Sequence, residues 1–226
     1  MKVGILGTAT VGRTLAARLG QLGHDVMNGT RDPKATQARS DADMYGNPPF
    51  RIWSEDHPDI GLGSFAEAAA HGDIVINATA GGAYLEVVRL VGEGNLEGKV
   101  LLDVANPLDT SQGMPPPLLM SNTDSLAEQI QRLLPGARVV KSLNTVNAAV
   151  MVDPGRVGGG DHSVFLSGND ADAKATVADL LRSFGWTDII DLGDITTARG
   201  PEMLLAVWLR LLGVLRTPMY NFKVVR

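Results

Sequence analysis

The sequence predicts an α/β fold, a doubly wound parallel sheet followed by a small α/β C-terminal region, and three observations carry that prediction. Short apolar runs at 2–6, 25–27, 74–77, 99–104 and 137–142 alternate with stretches of helical period, the order that builds parallel strands joined by crossover helices. The first run passes directly into Gly7-Thr8-Ala9-Thr10-Val11-Gly12 and then into a helical pattern, so a strand, a glycine turn and a helix follow one another without a linker. The last third changes character: Gly158-Gly159-Gly160 precedes an apolar run at 164–167, a helix, a strand at 188–192 and a long apolar segment. A boundary at 143/144 divides a dinucleotide-binding unit, 1–143, from a smaller region, 144–226.

The glycine turn sets the chemistry of the first unit. Gly7 permits the tight turn out of the strand, Ala9 is small enough for a pyrophosphate to approach the backbone, and Gly12 lets the helix pack on the strand. The unpaired amides at the helix start then face the phosphates, helped by the helix dipole. Leu15, Leu19 and Leu22 mark one face of that helix, Gly23-His24 ends it, and Asp25-Val26-Met27 begins the second strand. Where an NAD enzyme offers a carboxylate to the ribose, this chain offers Asn28-Gly29-Thr30-Arg31. A hydroxyl and a guanidinium there suit the 2′-phosphate of NADP.

Asp32-Pro33-Lys34 reads as a helix start with proline at the first helical position. From 40 to 63 no period survives, and Asn47-Pro48-Pro49 and Asp56-His57-Pro58-Asp59 are turn chemistry. That stretch reads as a long loop near the adenosine end. Its aromatic residues Phe50 and Trp53 either cover an adenine or anchor the loop in the core. Ser64-Phe65-Ala66-Glu67 carries a capping-box pattern, and the following strand at 74–77 ends in Ala78-Thr79-Ala80-Gly81-Gly82, small enough for a nicotinamide ribose to lie against the backbone. A helix at 86–91 and a strand at 99–104 lead to Asn106-Pro107, and a proline-rich loop spans 109–123. A helix at 125–134 and a strand at 137–142 deliver Leu143-Asn144-Thr145-Val146-Asn147. In the C-terminal region Asn169 is placed to cap a helix through Leu181, and Gly200-Pro201-Glu202 opens an apolar helix to Leu215. A helix apolar around most of its circumference is buried on more than one side, here by the core and by a subunit partner.

Composition limits the alternatives. Of 226 residues, 44% are apolar and 20% charged, as in a folded protein with ample core. A net charge of −5 argues against nucleic-acid binding. With no cysteine, disulfides, thiolate metal sites and thiol nucleophiles are excluded, and the four scattered histidines have no metal-ligand spacing. The apolar segment 203–215 is interrupted by Arg210 and too short to span a bilayer. With the first strand beginning at residue 2, no targeting peptide is expected and the location is expected to be cytoplasmic.

The motifs Gly7-Thr8-x-x-x-Gly12, Gly29-Thr30-Arg31, Asn77-Ala78-Thr79, Asp103-x-x-Asn106-Pro107, Lys141-Ser142-Leu143-Asn144-Thr145 and Ala198-Arg199-x-x-Glu202 occur in that order. Together they resemble the family of NADP oxidoreductases dependent on the deazaflavin coenzyme F420, and the NADPH domain of the STEAP metalloreductases. The resemblance implies a Rossmann-type homodimer that exchanges a hydride between NADP(H) and a deazaflavin or flavin, with the C-terminal region closing the cleft. It implies that Thr8, Thr10 and Val11 meet the pyrophosphate, and that Thr30 and Arg31, with Lys34 beside them, meet the 2′-phosphate. It further implies that Ala78, Thr79, Ala80, Asn106 and Pro107 flank the nicotinamide side and that Asn144 and Thr145 meet the isoalloxazine-like ring. Characterised deazaflavin enzymes tend to carry histidine where this chain has Asn144.

Hydride transfer between two flat rings needs geometry more than acid–base groups. A carbonyl reductase needs a proton donor, and the candidates are Lys141, at the end of a strand facing the cleft, and His162, after the glycine run. Asp103 reads as a loop-orienting carboxylate, and Arg199 with Glu202 as a helix-terminus pair. Tyr45, Tyr84 and Tyr220 follow no Tyr-x-x-x-Lys pattern, and Gly-x-Ser-x-Gly is absent. The functional readings are therefore three: a deazaflavin- or flavin-linked NADPH oxidoreductase, an NADPH-dependent reductase of another small molecule or ferric chelate, and a non-catalytic NADP sensor.

Overall fold

The computed structural model describes residues 1–43 and 46–226, so Tyr45 lies outside the described residues. Its strands are β1 (Lys2–Leu6), β2 (Asp25–Thr30), β3 (Gly61–Ser64), β4 (Ile74–Asn77), β5 (Val100–Asp103), β6 (Arg138–Lys141), β7 (Ser163–Gly168) and β8 (Asp188–Asp191). They form one sheet in the order β3-β2-β1-β4-β5-β6-β7-β8. Pairing is parallel from β3 to β6, β7 runs antiparallel to β6, and β8 is parallel to β7. The order reverses between β1 and β4, so the loops leaving these strands diverge and open a crevice at the carboxyl edge.

The helices are α1 (Thr10–Gln21), α2 (Pro33–Ala38), α3 (Phe50–Glu55), α4 (Phe65–His71), α5 (Tyr84–Val91), α6 (Leu126–Leu133), α7 (Ala148–Met151), α8 (Ala171–Phe184), α9 (Arg199–Met203) and α10 (Leu205–Leu215). Strand side chains alternate between two cores. Val3, Ile5, Ile74, Ile76 and Leu102 join Leu15, Leu19, Val177 and Phe184 on one face. Leu6, Val75, Leu101 and Val139 join Phe65, Val87, Leu126 and Ile130 on the other. Burial on both faces is why the strands read as unbroken apolar runs. Gly4 lets α4 approach closely: a Cβ there would sit 2.0 Å from the Ala68 carbonyl oxygen. The capping box at α4 is complete, with Ser64 and Glu67 each bonding the other's backbone amide.

Several expectations are corrected. The stretch 40–63 is not an unstructured loop, since it contains α3 and the edge strand β3. Phe50 is buried, its ring 5.1 Å from that of Trp53, and Trp53 packs on the core, an arrangement that fits the anchoring alternative. The cap of α8 is Asp170, which accepts the Ala173 amide, while Asn169 accepts the Ile195 amide. The last apolar helix is two helices meeting at Leu204. Within the chain α10 is not buried on several sides: only Leu205 is buried, and Val207, Val214 and Leu215 are exposed. No helix among the described residues is long and apolar enough to cross a membrane.

Candidate active site

Gly7 ends β1 at a φ of +126°, and its amide donates to the Gly29 carbonyl at 2.9 Å. A Cβ on Gly7 would lie 2.7 Å from the Ala78 carbonyl oxygen, and one on Gly12 would lie 2.2 Å from the Gly7 carbonyl oxygen. Backbone occupies the space in both cases, so the turn admits only glycine at these positions. Ala9, the N-cap of α1, supplies no side-chain hydrogen bond, and the first turn of the helix holds no acidic residue. The amides of that turn therefore remain for an anion.

Side chains that the glycine spacing does not mark hold this turn in place. Buried Asn28 donates from Nδ2 to the Gly7 carbonyl at 2.9 Å. Arg13 donates from Nε to the Thr8 carbonyl at 2.6 Å and from Nη1 to the Pro48 carbonyl at 2.5 Å. Thr10 Oγ1 accepts from Asn47 at 3.0 Å. Residues 47 and 48 are thus tied to the turn by polar contacts, which the sequence signals only as a turn-rich segment.

At the end of β2, Thr30 is buried with Oγ1 2.9 Å from Thr36 Oγ1. Arg31 is exposed and reaches Glu86 on α5 at 2.7 Å. Lys34 is exposed on α2. A cavity of about 370 Å³ beside the turn is lined by Thr8, Ala9, Thr36, Arg39 and Phe50, among others.

A second cleft, of about 530 Å³, opens between the loops that follow β4 and β5. It is lined by Val11, Ala78, Thr79, Ala80, Asn106 and further Gly, Ala, Val, Leu and Thr residues, every one of them neutral. The two loops touch: a Cβ on Gly81 would lie 2.1 Å from the Asn106 carbonyl oxygen. Asn106 donates to the Asn144 carbonyl at 3.0 Å, and Asn144 returns a bond to Asn106 Oδ1 at 3.2 Å. Asn144 Nδ2 also donates to the Pro201 carbonyl at 2.9 Å, and Leu143 before it adopts a left-handed φ of +60°. Pro107 and Thr145 are buried beside this turn. The structure therefore gathers Val11, the Ala78-Thr79-Ala80 segment and Asn106 around one cleft, with Asn144 bonded to Asn106.

Lys141 does not face the cleft. Its side chain is fully buried, and Nζ donates to Asp103 Oδ2 at 2.7 Å, to the Ala105 carbonyl at 2.6 Å and to Glu202 Oε1 at 2.9 Å. Burial pushes the lysine pKa down, but the charges and hydrogen bonds of Asp103 and Glu202 outweigh it and hold the ammonium above its ordinary value. With all three protons committed, it is not a proton donor to the cleft. His162 is likewise removed: Nε2 donates to the Pro154 carbonyl at 3.0 Å, Nδ1 accepts from Asn221 at 2.8 Å, and the ring stands edge-on to Trp186. Arg199 and Glu202 are not paired. Arg199 makes a bidentate bond to Glu128 at 2.6 and 2.8 Å, which holds the Glu128 carboxyl below its usual value. Glu202 instead accepts the Leu126 and Ala127 amides at the start of α6, at 2.7 and 3.1 Å. Asp103 orients its loop as expected, accepting from the Ala105 amide and from Asn77.

A Rossmann-type sheet with an open glycine turn at its switch point defines the dinucleotide-binding class of α/β proteins. The comparisons with known proteins narrow this. The model of the family described as NADP oxidoreductase, coenzyme F420-dependent, matches residues 2–107. The F420-dependent NADP reductase of Methanocaldococcus jannaschii is 30% identical over 201 residues, 88% of this chain and 86% of that protein. The rat metalloreductase STEAP3 is 31% identical over 219 residues, 96% of this chain, and the chain spans 38% of that protein's length. A crystal structure from Arthrobacter sp. FB24, described as a candidate F420-dependent NADP reductase, is 59% identical, with a TM-score of 0.95 and complete coverage of both chains. The chain belongs to the family of coenzyme F420-dependent NADP oxidoreductases, and it is an NADP-dependent oxidoreductase.

Proposed function

We propose that the protein transfers a hydride between NADPH and the deazaflavin coenzyme F420, with a flavin as the alternative acceptor, the two rings meeting in the neutral cleft. The observation that carries this reading is the lining itself. Side chains without ionisable groups suit a reaction that moves a hydride from the nicotinamide C4 to C5 of a deazaflavin, or N5 of a flavin. The proton that balances the reduced ring arrives at N1 from solvent rather than from a general acid of the protein. The burial of Lys141 and His162 in other contacts speaks against a carbonyl reductase using either as proton donor.

Two features support a dinucleotide in this crevice. The turn at Gly7 and Gly12 is a backbone cradle that any Cβ would fill, and the first turn of α1 is uncapped by side chains. Gly7, Thr8, Ala9, Thr10, Val11 and Gly12 would hold the pyrophosphate, and Thr30, Arg31 and Lys34 the 2′-phosphate. Ala78, Thr79, Ala80, Asn106 and Pro107 would flank the nicotinamide, with Asn144 and Thr145 on the acceptor side. The bound NADPH supplies the hydride, and the chain orients the rings and excludes water. The region 144–226 acts as the cleft's cover, a reading supported by the paired bonds between Asn106 of the cleft lining and Asn144. The exposed apolar residues of α10 support a homodimer, and a cytoplasmic location completes the reading.

The test is the rate of NADPH oxidation by purified protein with F420, FMN, FAD and riboflavin. Rapid turnover with the deazaflavin establishes the proposal, and turnover with a flavin alone selects the alternative. Tight NADPH binding without oxidation by any of them retires both and leaves a reductase of another small molecule or ferric chelate, or a non-catalytic binding module.

A further inference from the structure

A hydrogen-bond chain runs from the buried ion cluster to the cleft wall, and its polarity is fixed at every link. Lys141 and Asp103 are fully buried and 2.7 Å apart; Lys141 Nζ donates to Asp103 Oδ2 and the Ala105 amide to Oδ1, so both oxygens of Asp103 act as acceptors. Its Oδ1 takes a bond from Asn77 Nδ2 at 2.8 Å, which settles the orientation of that buried amide: a flipped Asn77 would aim oxygen at carboxylate. Asn77 Oδ1 therefore points the other way, where it accepts the Thr79 amide at 3.3 Å and the Thr79 hydroxyl at 2.7 Å. The single hydroxyl proton of Thr79 is thereby spent, and its oxygen keeps only lone pairs. Thr79 lines the cleft.

We infer that Thr79 Oγ1 is a specificity-determining acceptor, fixed in that polarity by Lys141, Asp103 and Asn77, and that it takes a hydrogen bond from an O–H or N–H donor of the dinucleotide. The inference rests on the proposed occupancy of this cleft by NADPH. The donor is a ribose hydroxyl or the carboxamide amine, groups that a lone-pair-only oxygen recognises and a phosphate or carbonyl oxygen cannot replace.

The experiment is fluorescence titration of NADPH into wild type, Thr79→Val, Thr79→Ser and Asp103→Asn, and the double variant Thr79→Val/Asp103→Asn. Thr79→Val keeps the side chain's volume and should raise Kd roughly tenfold, whereas Thr79→Ser should restore binding to within about twofold. Asp103→Asn frees Asn77 to turn over and should weaken binding several-fold. The double variant should add little to Thr79→Val, because both act through one hydroxyl. Repeating the titration with the 3-acetylpyridine analogue of NADPH, which lacks the amine, assigns the donor: a penalty that vanishes identifies the carboxamide, and one that persists identifies a ribose hydroxyl. Equal Kd for Thr79→Val and wild type, or additive losses in the double variant, overturns the inference. Failure of the wild type to bind NADPH overturns the functional reading instead.

Discussion

Replacing Lys141 by methionine keeps most of the side chain's length and removes its charge. Three hydrogen bonds of 2.6 to 2.9 Å disappear, and Asp103 and Glu202 are left at 0% and 1% side-chain exposure with no cation between them. Breaking a buried ion pair from one side costs about 3–5 kcal/mol. In a domain of this size each kcal/mol lowers Tm by roughly 2–4 °C, so the variant should melt about 6–20 °C below wild type. The pH dependence supplies a second signature. In wild type the Lys141 pKa is raised on folding, so its stabilisation is complete below the ordinary lysine value of about 10.4 and is lost only as pH rises through the folded value. Between neutrality and that value, wild-type stability owes no pH dependence to this group. In the variant, protonating either carboxylate relieves the buried negative charge, so the deficit should shrink as pH falls. Calorimetry of both proteins across pH 5 to 9 (about two units either side of neutral) tests this. A deficit below about 1 kcal/mol, or one that is constant with pH, would refute the buried triad as described.

Other perturbations address the turn and the sites excluded from the cleft. Gly12→Ala drives a methyl group into the Gly7 carbonyl and should weaken NADPH binding more than tenfold in a titration; unchanged affinity would mean that the turn yields cheaply. Arg31→Ala should cost roughly ten- to a hundredfold in NADPH affinity with little effect on NADH, and equal losses for both would sink the role of Arg31 as selector. His162→Gln should lower Tm while leaving the pH profile of kcat unchanged, since the ring is held by Pro154, Asn221 and Trp186. A large fall in kcat at undiminished stability would return His162 to the site.

The order β1–α1–β2 and the alternation up to β6 are legible in the sequence because a parallel sheet covered on both faces needs continuous apolar strands. The glycine turn is legible because backbone fills the space where a side chain would go. The edge strand β3 is not, since its residues answer to packing rather than to β-propensity: a Cβ on Gly63 would stand 3.1 Å from both Glu67 and Met27. The six-residue α3 opens behind Pro49, in a segment whose composition advertises turns. Lys141 misleads for a different reason. A lysine at a strand end reads as solvent-facing, and nothing local announces that Asp103 and Glu202, from distant segments, meet it in the interior. The same holds for Asn28 and Arg13, whose service to the glycine turn depends on where β2 and the 47–50 segment arrive. Conversely, the cluster of small neutral residues at 78–82 is visible in the sequence, and it does line a cleft.

The most direct test of the account follows the hydrogen itself. NADPH deuterated at both C4 positions, mixed anaerobically with the protein and oxidised F420 in a single turnover, should pass deuterium to the acceptor carbon without exchange. The fast phase should show a primary isotope effect and a rate constant that is flat with pH, because the cleft supplies position and no titrating acid. Loss of the label to solvent, or a bell-shaped pH dependence of that phase, would contradict direct transfer between rings held in a neutral cleft.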